Sequence, residues 1–233
     1  VAAIGGKHQV PLIVDNTAAP YISKPISHGA NIVVYSTTKY IGGHGLSIGG
    51  LIIDGGNFDW EAAGSRFQMM NTPDPSYHGA VWSQAAKPLG PIAYILRARV
   101  ILLRDLGSSM SPFNAFTFIQ GLETLPLRMQ RHCENAEKVA NYLAKHKKVV
   151  KTIYPSLMDG TYLERAKKYM DKGFGALVGF ELENGQEAGK KFIDNLKILY
   201  HVANIGDARS LAIHPSSTTH SQLSEDEKIA SGV

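Results

Sequence analysis

Two short stretches of this chain carry side chains whose types and spacing could do chemistry. The first is Tyr35-Ser36-Thr37-Thr38-Lys39, which follows the apolar run Ile32-Val33-Val34 and precedes the glycine-rich Gly42-Gly43-His44-Gly45. A β-branched run of this kind reads as a buried strand. Lys39 therefore falls at a strand end, where a buried ammonium is costly unless something uses it. Ser36 and Thr38, two positions apart, can donate hydrogen bonds to phosphate oxygens. An amine that can form a Schiff base beside a phosphate cradle points to pyridoxal phosphate (PLP). The plainer alternative is a strand end with solvated hydroxyls and a snorkelling lysine.

The second stretch is Pro11-Leu12-Ile13-Val14, a further apolar strand, which ends in Asp15-Asn16-Thr17. Ligands of open α/β sheets bind outside the carboxyl ends of the strands. An aspartate there can pair with a pyridine nitrogen and keep it protonated, so that the ring accepts electrons. Asp15 could also serve merely as a helix N-cap. Asp15 and Lys39 lie on consecutive apolar strands, each at the exit, and that pairing favours the cofactor reading of both.

The segments DNT (Asp15 to Thr17), STTK (Ser36 to Lys39) and GLETLPLRMQRH (Gly121 to His132) resemble those of the Cys/Met-metabolism family of PLP enzymes. TKYIGGHGLSIGG, DGGNFDW, PDPSYHG and HPSSTTHSQLSEDE are similar to segments of its O-acetylhomoserine sulfhydrylase subgroup, and the resemblance runs along essentially the whole chain. It implies an α/β, PLP-dependent transferase fold of the aspartate-aminotransferase-like type (fold type I). It implies that Lys39 is the catalytic residue and that Asp15, Ser36, Thr38 and Lys39 bind the cofactor. Ser210 and Thr219 would lie near the substrate's carboxylate or the Schiff base, although a plain reading makes both turn hydroxyls. The implied reaction is γ-replacement: O-acetylhomoserine plus sulfide (or methanethiol) to homocysteine (or methionine) plus acetate. A methionine or cystathionine γ-lyase is the enzymatic alternative, and a non-catalytic PLP-fold scaffold the alternative of another class. A cytoplasmic homotetramer with active sites shared between subunits is expected on the same ground. So is a longer parent protein: family members carry a phosphate loop and a stacking aromatic before this point, and a carboxylate-binding arginine after it, for which Arg209 is no substitute.

The elements that must position these residues follow from composition and pattern. A hydrophobic fraction of 44% with 19% charged residues is that of a globular chain, and no apolar run approaches the about 18 residues of a membrane span. The single Cys133 excludes an intrachain disulfide and reads as structural. The net charge of +4 is dispersed, and its one cluster, Lys145 to Lys148, ends a predicted helix, so neither a nucleic-acid nor a membrane partner is expected. Residues 1–135 are expected to form the C-terminal part of a PLP-binding large domain with a mostly parallel sheet. Within it, an irregular insertion at about 54–112 carries Phe58, Trp60, Phe67, Tyr77 and Trp82, either as loop anchors or as a wall over the site. Residues 136–233 are expected to form a smaller α+β domain that lacks its last segment.

A helix is expected from Ile92 to Leu106, and a longer one from Pro112, which Pro126 should break or kink. On the latter, Ala136, Val139, Ala140 and Leu143 repeat with helical period, Glu134 and Lys138 are spaced for an ion pair, and Arg128, Arg131 and His132 read as interdomain ion-pair residues. Strands are expected at 149–154, 175–182, 199–203 and 211–213, with helices at 161–170 and 186–195. No metal-ligand spacing occurs, and His214 and His220 do not share a helix face.

Overall fold

Three strands build the sheet that carries the chemistry-bearing residues: β1 (Ile13–Asp15), β2 (Ile32–Ser36) and β3 (Gly50–Asp54), in the order β1-β2-β3. They are seen in a computed structural model that describes residues Val1–Val233. β1 and β2 are parallel, with Ile13 opposite Ile32 and Asp15 opposite Val34, so both strands exit on one edge of the sheet. β3 returns antiparallel, with Ser36 opposite Gly50. A parallel return needs a covering crossover, usually helical, and the glycine-rich connection between Ser36 and Gly50 holds no helix. Of the mostly parallel sheet expected, this chain thus contains one parallel pair and one antiparallel edge.

The segment at about 54–112 packs against β2. Phe58, Trp60, Met70, Trp82, Ala86 and Ala93 form one buried cluster with Ile32, and Phe67 packs on its margin. These aromatics behave as anchors of an otherwise irregular segment. Tyr77 lies at the edge, tilted against Trp82. The predicted helix of this region runs from Ala93–Arg97 through a π-helical stretch, Ala98–Leu103, to Arg104–Leu106.

A single helix, Pro112–Leu143, spans the molecule with Pro112 in its first turn. Of the break or kink expected at Pro126, the break does not occur: the helix runs on through the proline. The proline lies on the exposed face, where water can take the freed Leu122 carbonyl, while Leu125 and Met129 are buried on either side of it. Phe118, Leu125, Met129 and Cys133 pack with Ile22, Tyr40 and Ile41. From the next turn on, Ala136 and Ala140 pack with Tyr154 instead. The expected pair of Glu134 with Lys138 is replaced by one with Arg131 at 3.6 Å on the same face.

Beyond the helix, β4 (Val149–Ile153) pairs antiparallel with β5 (Gly179–Leu182). β5 starts four residues later than the strand predicted from Gly175, whose φ of +86° takes the backbone out of the extended region. Helices Gly160–Tyr169 and Gly185–Asp194 flank these strands. The two-residue strands β6 (Tyr200–His201) and β7 (Leu211–Ala212) pair in parallel around the loop that reaches back to Lys39. No helix is long and apolar enough to cross a membrane, and no group of three or more His, Cys, Asp or Glu is placed to hold a metal ion.

Candidate active site

The turn after β2 is held from several directions. Within it, the Gly42 N–H donates to the Thr37 carbonyl at 2.8 Å and the Gly43 N–H to the Lys39 carbonyl at 2.8 Å, which winds residues 37–43 into a compact turn. From the long helix, Arg128 donates to the carbonyls of Tyr40 at 2.7 Å and Ile41 at 3.1 Å, and to that of Gly121 at 2.7 Å. Arg128 was expected to form an ion pair between domains; it has no carboxylate partner and serves instead as a clamp on backbone oxygens. Its burial lowers its pKa. Next to it, His132 lies edge-on to Tyr40 with ring centroids 5.7 Å apart, and its Nε2 is buried without a partner. Neither the expected ion pair of His132 nor one between Arg131 and another element is formed.

Lys39 is half-buried on this turn, and no carboxylate lies within ion-pair distance of its amine. Its one hydrogen bond runs to Oδ1 of Asn204, 165 residues away in sequence. A lysine amine that is sheltered, directed and not neutralised is chemically available.

Asp15 sits at the exit of the neighbouring strand. Its Oδ1 accepts the Thr17 N–H at 2.9 Å. Thr17, through its hydroxyl and then its N–H, holds the Asp15 carboxyl below the usual carboxylate range, against a small opposing effect of burial. Asp15 is therefore an anion at neutral pH, suited to a cationic ring nitrogen. The Thr17 hydroxyl also accepts the Ser36 N–H at 2.8 Å, which ties the exits of β1 and β2 to each other.

The two expected phosphate hydroxyls differ in state. Thr38 Oγ1 accepts the Gly49 N–H at 3.0 Å and faces the Gly49 carbonyl at 3.4 Å. The Ser36 hydroxyl makes no hydrogen bond within the protein and is half-buried. Ser210 and Thr219 are exposed, and no hydrogen bond joins either to Lys39 or Asp15; Thr219 pairs with His220 Nδ1 at 2.9 Å. Arg209 is committed to the buried Asp207, with Nη2 2.8 Å from Oδ2. The structure thus brings Asp15, Ser36, Thr38 and Lys39 to one sheet edge and leaves Ser210 and Thr219 on the adjoining C-terminal segment. Sequence reading passed over Thr17, although its position two residues after Asp15 is an Asx-turn signal. It also passed over Asn204, for which no local signal exists.

All 233 residues match the family model for Cys/Met metabolism PLP-dependent enzymes. The chain belongs to that family. A Cys/Met-metabolism relative, the O-acetyl-L-homoserine sulfhydrylase of Leptospira meyeri, is 53% identical over 240 residues, covering 100% of this chain and 54% of that protein. The chain spans about half the length of the curated relatives it matches. Among solved structures, an O-acetylhomoserine (thiol)-lyase from Campylobacter jejuni superposes with a TM-score of 0.89 at 40% identity, over 100% of this chain and 55% of that one. That crystal structure contains N'-pyridoxyl-lysine-5'-monophosphate. A cystathionine gamma synthase from Xanthomonas oryzae, in complex with aminoacrylate and cysteine, superposes with a TM-score of 0.73 at 32% identity, over 100% of this chain and 51% of that one.

The expected fold is therefore the fold of the chain, and PLP is the family's cofactor. The residues of this member fit it: an amine without a counter-ion, an ionised carboxylate on the adjacent strand exit, and a serine hydroxyl with no protein partner beside them.

Proposed function

We propose that the whole protein catalyses γ-replacement, converting O-acetylhomoserine and sulfide (or methanethiol) to homocysteine (or methionine) and acetate. The observation that carries the reading is the half-buried Lys39 amine, free of any carboxylate, one strand away from an ionised Asp15. The identity of the relatives supports the choice of substrate, since the Leptospira meyeri protein is named for O-acetylhomoserine.

When bound, PLP supplies an electron sink for the charge left at the substrate's Cα and Cβ. In this reading, Lys39 Nζ anchors the cofactor aldehyde, is released by the substrate's amine, and then moves protons at Cα and Cβ as a general base. Asp15 accepts the pyridinium N–H and keeps the ring cationic. Ser36 and Thr38 hold the phosphate, and Ser210 and Thr219 the substrate carboxylate. Acetate leaves the γ-carbon as its C–O bond breaks, and sulfide forms the new C–S bond there.

The same reading assigns residues 1–135, with the insertion at about 54–112, to the cofactor domain and 136–233 to the smaller domain. The change of packing partner between Cys133 and Ala136 supports that division. A cytoplasmic homotetramer with shared sites is the proposed assembly. The apolar side chains Phe113, Phe116 and Ile119, exposed along the long helix, are consistent with a covered surface there.

The test is the full-length protein, one portion reduced with borohydride for mass analysis and an unreduced portion assayed. A pyridoxyl group on Lys39, homocysteine formation that needs sulfide, and loss of both in Lys39→Ala are expected. Rapid 2-oxobutyrate release without sulfide would instead mean a γ-lyase, and an unlabelled, inactive protein a scaffold.

A further inference from the structure

Asn184-Gly185 is the one Asn-Gly pair of the sequence. It forms the turn from β5 into the helix Gly185–Asp194, and both residues are exposed. We propose that Asn184 is a site of spontaneous covalent modification: its side-chain amide is lost to attack by the Gly185 backbone nitrogen, and the isoaspartyl product unseats the start of that helix.

The turn suits the reaction. Asn184 and Gly185 have φ of +69° and +54°, successive left-handed conformations that an Asn-Gly pair adopts at little cost. Asn184 caps the helix by position only, since its side chain makes no hydrogen bond to the first turn and is free to rotate. The Gly185 N–H, one of those that a helix start leaves without an intrahelical partner, donates to no carbonyl. No backbone hydrogen bond closes the turn across the pair; the chain is last held by the Glu183 N–H on the Lys148 carbonyl at 3.0 Å. Ring closure requires the Asn184 ψ to leave its value of 16°, and a Cβ at Gly185 would meet nothing within 4 Å, so the turn has open space in which to move.

Water and hydroxide are the only co-reactants. Hydroxide takes the Gly185 amide proton, and that nitrogen attacks Asn184 Cγ. The N–Cγ bond forms, the Cγ–Nδ2 bond breaks, ammonia leaves, and a five-membered cyclic imide remains. Water then opens the imide. Cleavage of the N–Cγ bond restores the ordinary chain with an aspartyl side chain. Cleavage at the backbone carbonyl routes the chain through Cγ as an isoaspartyl link.

The two products act differently on the helix. An aspartyl carboxylate at a helix start stabilises it, by capping and through the macrodipole. An isoaspartyl link lengthens the main chain by one carbon and abolishes the turn geometry. That helix start is seated on the segment from His214 to Ser216: Gln186 Nε2 reaches Ser216 Oγ at 3.5 Å, and a Cβ at Gly189 would stand 2.5 Å from His214 Nε2. The isoaspartyl form therefore loosens the first turn from these contacts.

The experiment ages the full-length protein at mildly alkaline pH. Its peptides are then mapped by mass spectrometry, and isoaspartyl links are detected by methyl transfer from labelled S-adenosylmethionine with an isoaspartyl methyltransferase. Conversion at Asn184 is expected to run at least about tenfold faster than at Asn135, which is exposed but lies inside the long helix, where losing even one hydrogen bond costs about that factor. The rate should rise with pH, and Asn184→Gln should remove the methyl acceptor from that peptide. In the aged, more acidic fraction, amide hydrogens of residues 189–192, which bond to the first turn, are expected to exchange faster than in the fresh protein. In Asn184→Asp they should exchange no faster. Conversion at Asn184 no faster than at Asn135 would overturn the site. Equal exchange in the aged fraction and the fresh protein would overturn its effect on the helix.

Discussion

Arg128 and Tyr40, 88 residues apart, are joined by a 2.7 Å hydrogen bond from the guanidinium to the backbone carbonyl of the residue after Lys39. Ile41 and Gly121 supply the other two carbonyls, and Thr124 Oγ1 accepts from Nε at 3.1 Å. The planar fork of an arginine can serve acceptors on two elements at once, and a lysine's single ammonium cannot reach the same set. Arg128→Lys is therefore expected to destabilise the protein by about 1–3 kcal/mol, read from the urea midpoint at constant slope. Because the lost bonds hold the Lys39 turn, cofactor retention on dialysis should fall as well.

Gly121 sits inside the long helix, where alanine would ordinarily be favoured by about 1 kcal/mol. Here the sign reverses. A Cβ at Gly121 would come within 2.3 Å of the Ile41 carbonyl oxygen and 2.9 Å of that of Gly42, and both contacts are with backbone that cannot swing away. Gly121→Ala is expected to lower stability by about 1–3 kcal/mol through overpacking. A thermal-melting comparison in which the variant matches or exceeds the parent would show that the turn and the helix are less tightly docked than described.

The strands β1 and β2 were legible in the sequence because their signal is local: an apolar β-branched run with a polar exit, Asp15 in one and Ser36 onward in the other. The same locality explains the failures. The rule for Pro126 considers one missing N–H and not the packing of Leu125 and Met129, which holds the helix together. Glu134 has more than one cation at helical spacing, and spacing alone could not choose Arg131 over Lys138. Arg128 read as an ion-pair residue because charged partners are visible in a sequence and carbonyl oxygens are not. Asn204 was invisible for a related reason: it meets Lys39 across 165 residues, from a loop with no motif of its own before Gly206.

Trp82 is almost wholly buried in the cluster that backs β2, and its Nε1 donates to Asp74 Oδ2 at 2.8 Å. Since that cluster contains Ile32, the segment at about 54–112 props the strand that leads to Lys39. Trp82→Ala opens a large cavity and is expected to cost about 3–5 kcal/mol in urea unfolding. If this segment is a support and not a wall over the site, KM for the substrate should stay unchanged in folded Trp82→Phe, and a rise in KM would favour the wall.

His132 sets an acid-side dependence of stability whose sign can be worked out. Burial, then the Arg128 cation, lowers its pKa from the ordinary 6.5, and Asp207 only partly opposes this. A histidine whose pKa is lower in the folded than in the unfolded state binds more protons when unfolded. Its contribution is fully present above about pH 6.5 and is lost as the pH falls through the folded value. His214 is depressed by burial and by Lys190 and acts in the same window. The carboxyls of Asp15 and Asp207 are shifted down from 3.8, so their contributions hold until the pH falls below that range. Between pH 7 and 5 the urea midpoint should therefore drop, the drop should be smaller in His132→Gln, and smaller again when His214→Gln is added. An unchanged pH slope in the double variant would assign the acid sensitivity to groups other than these two histidines.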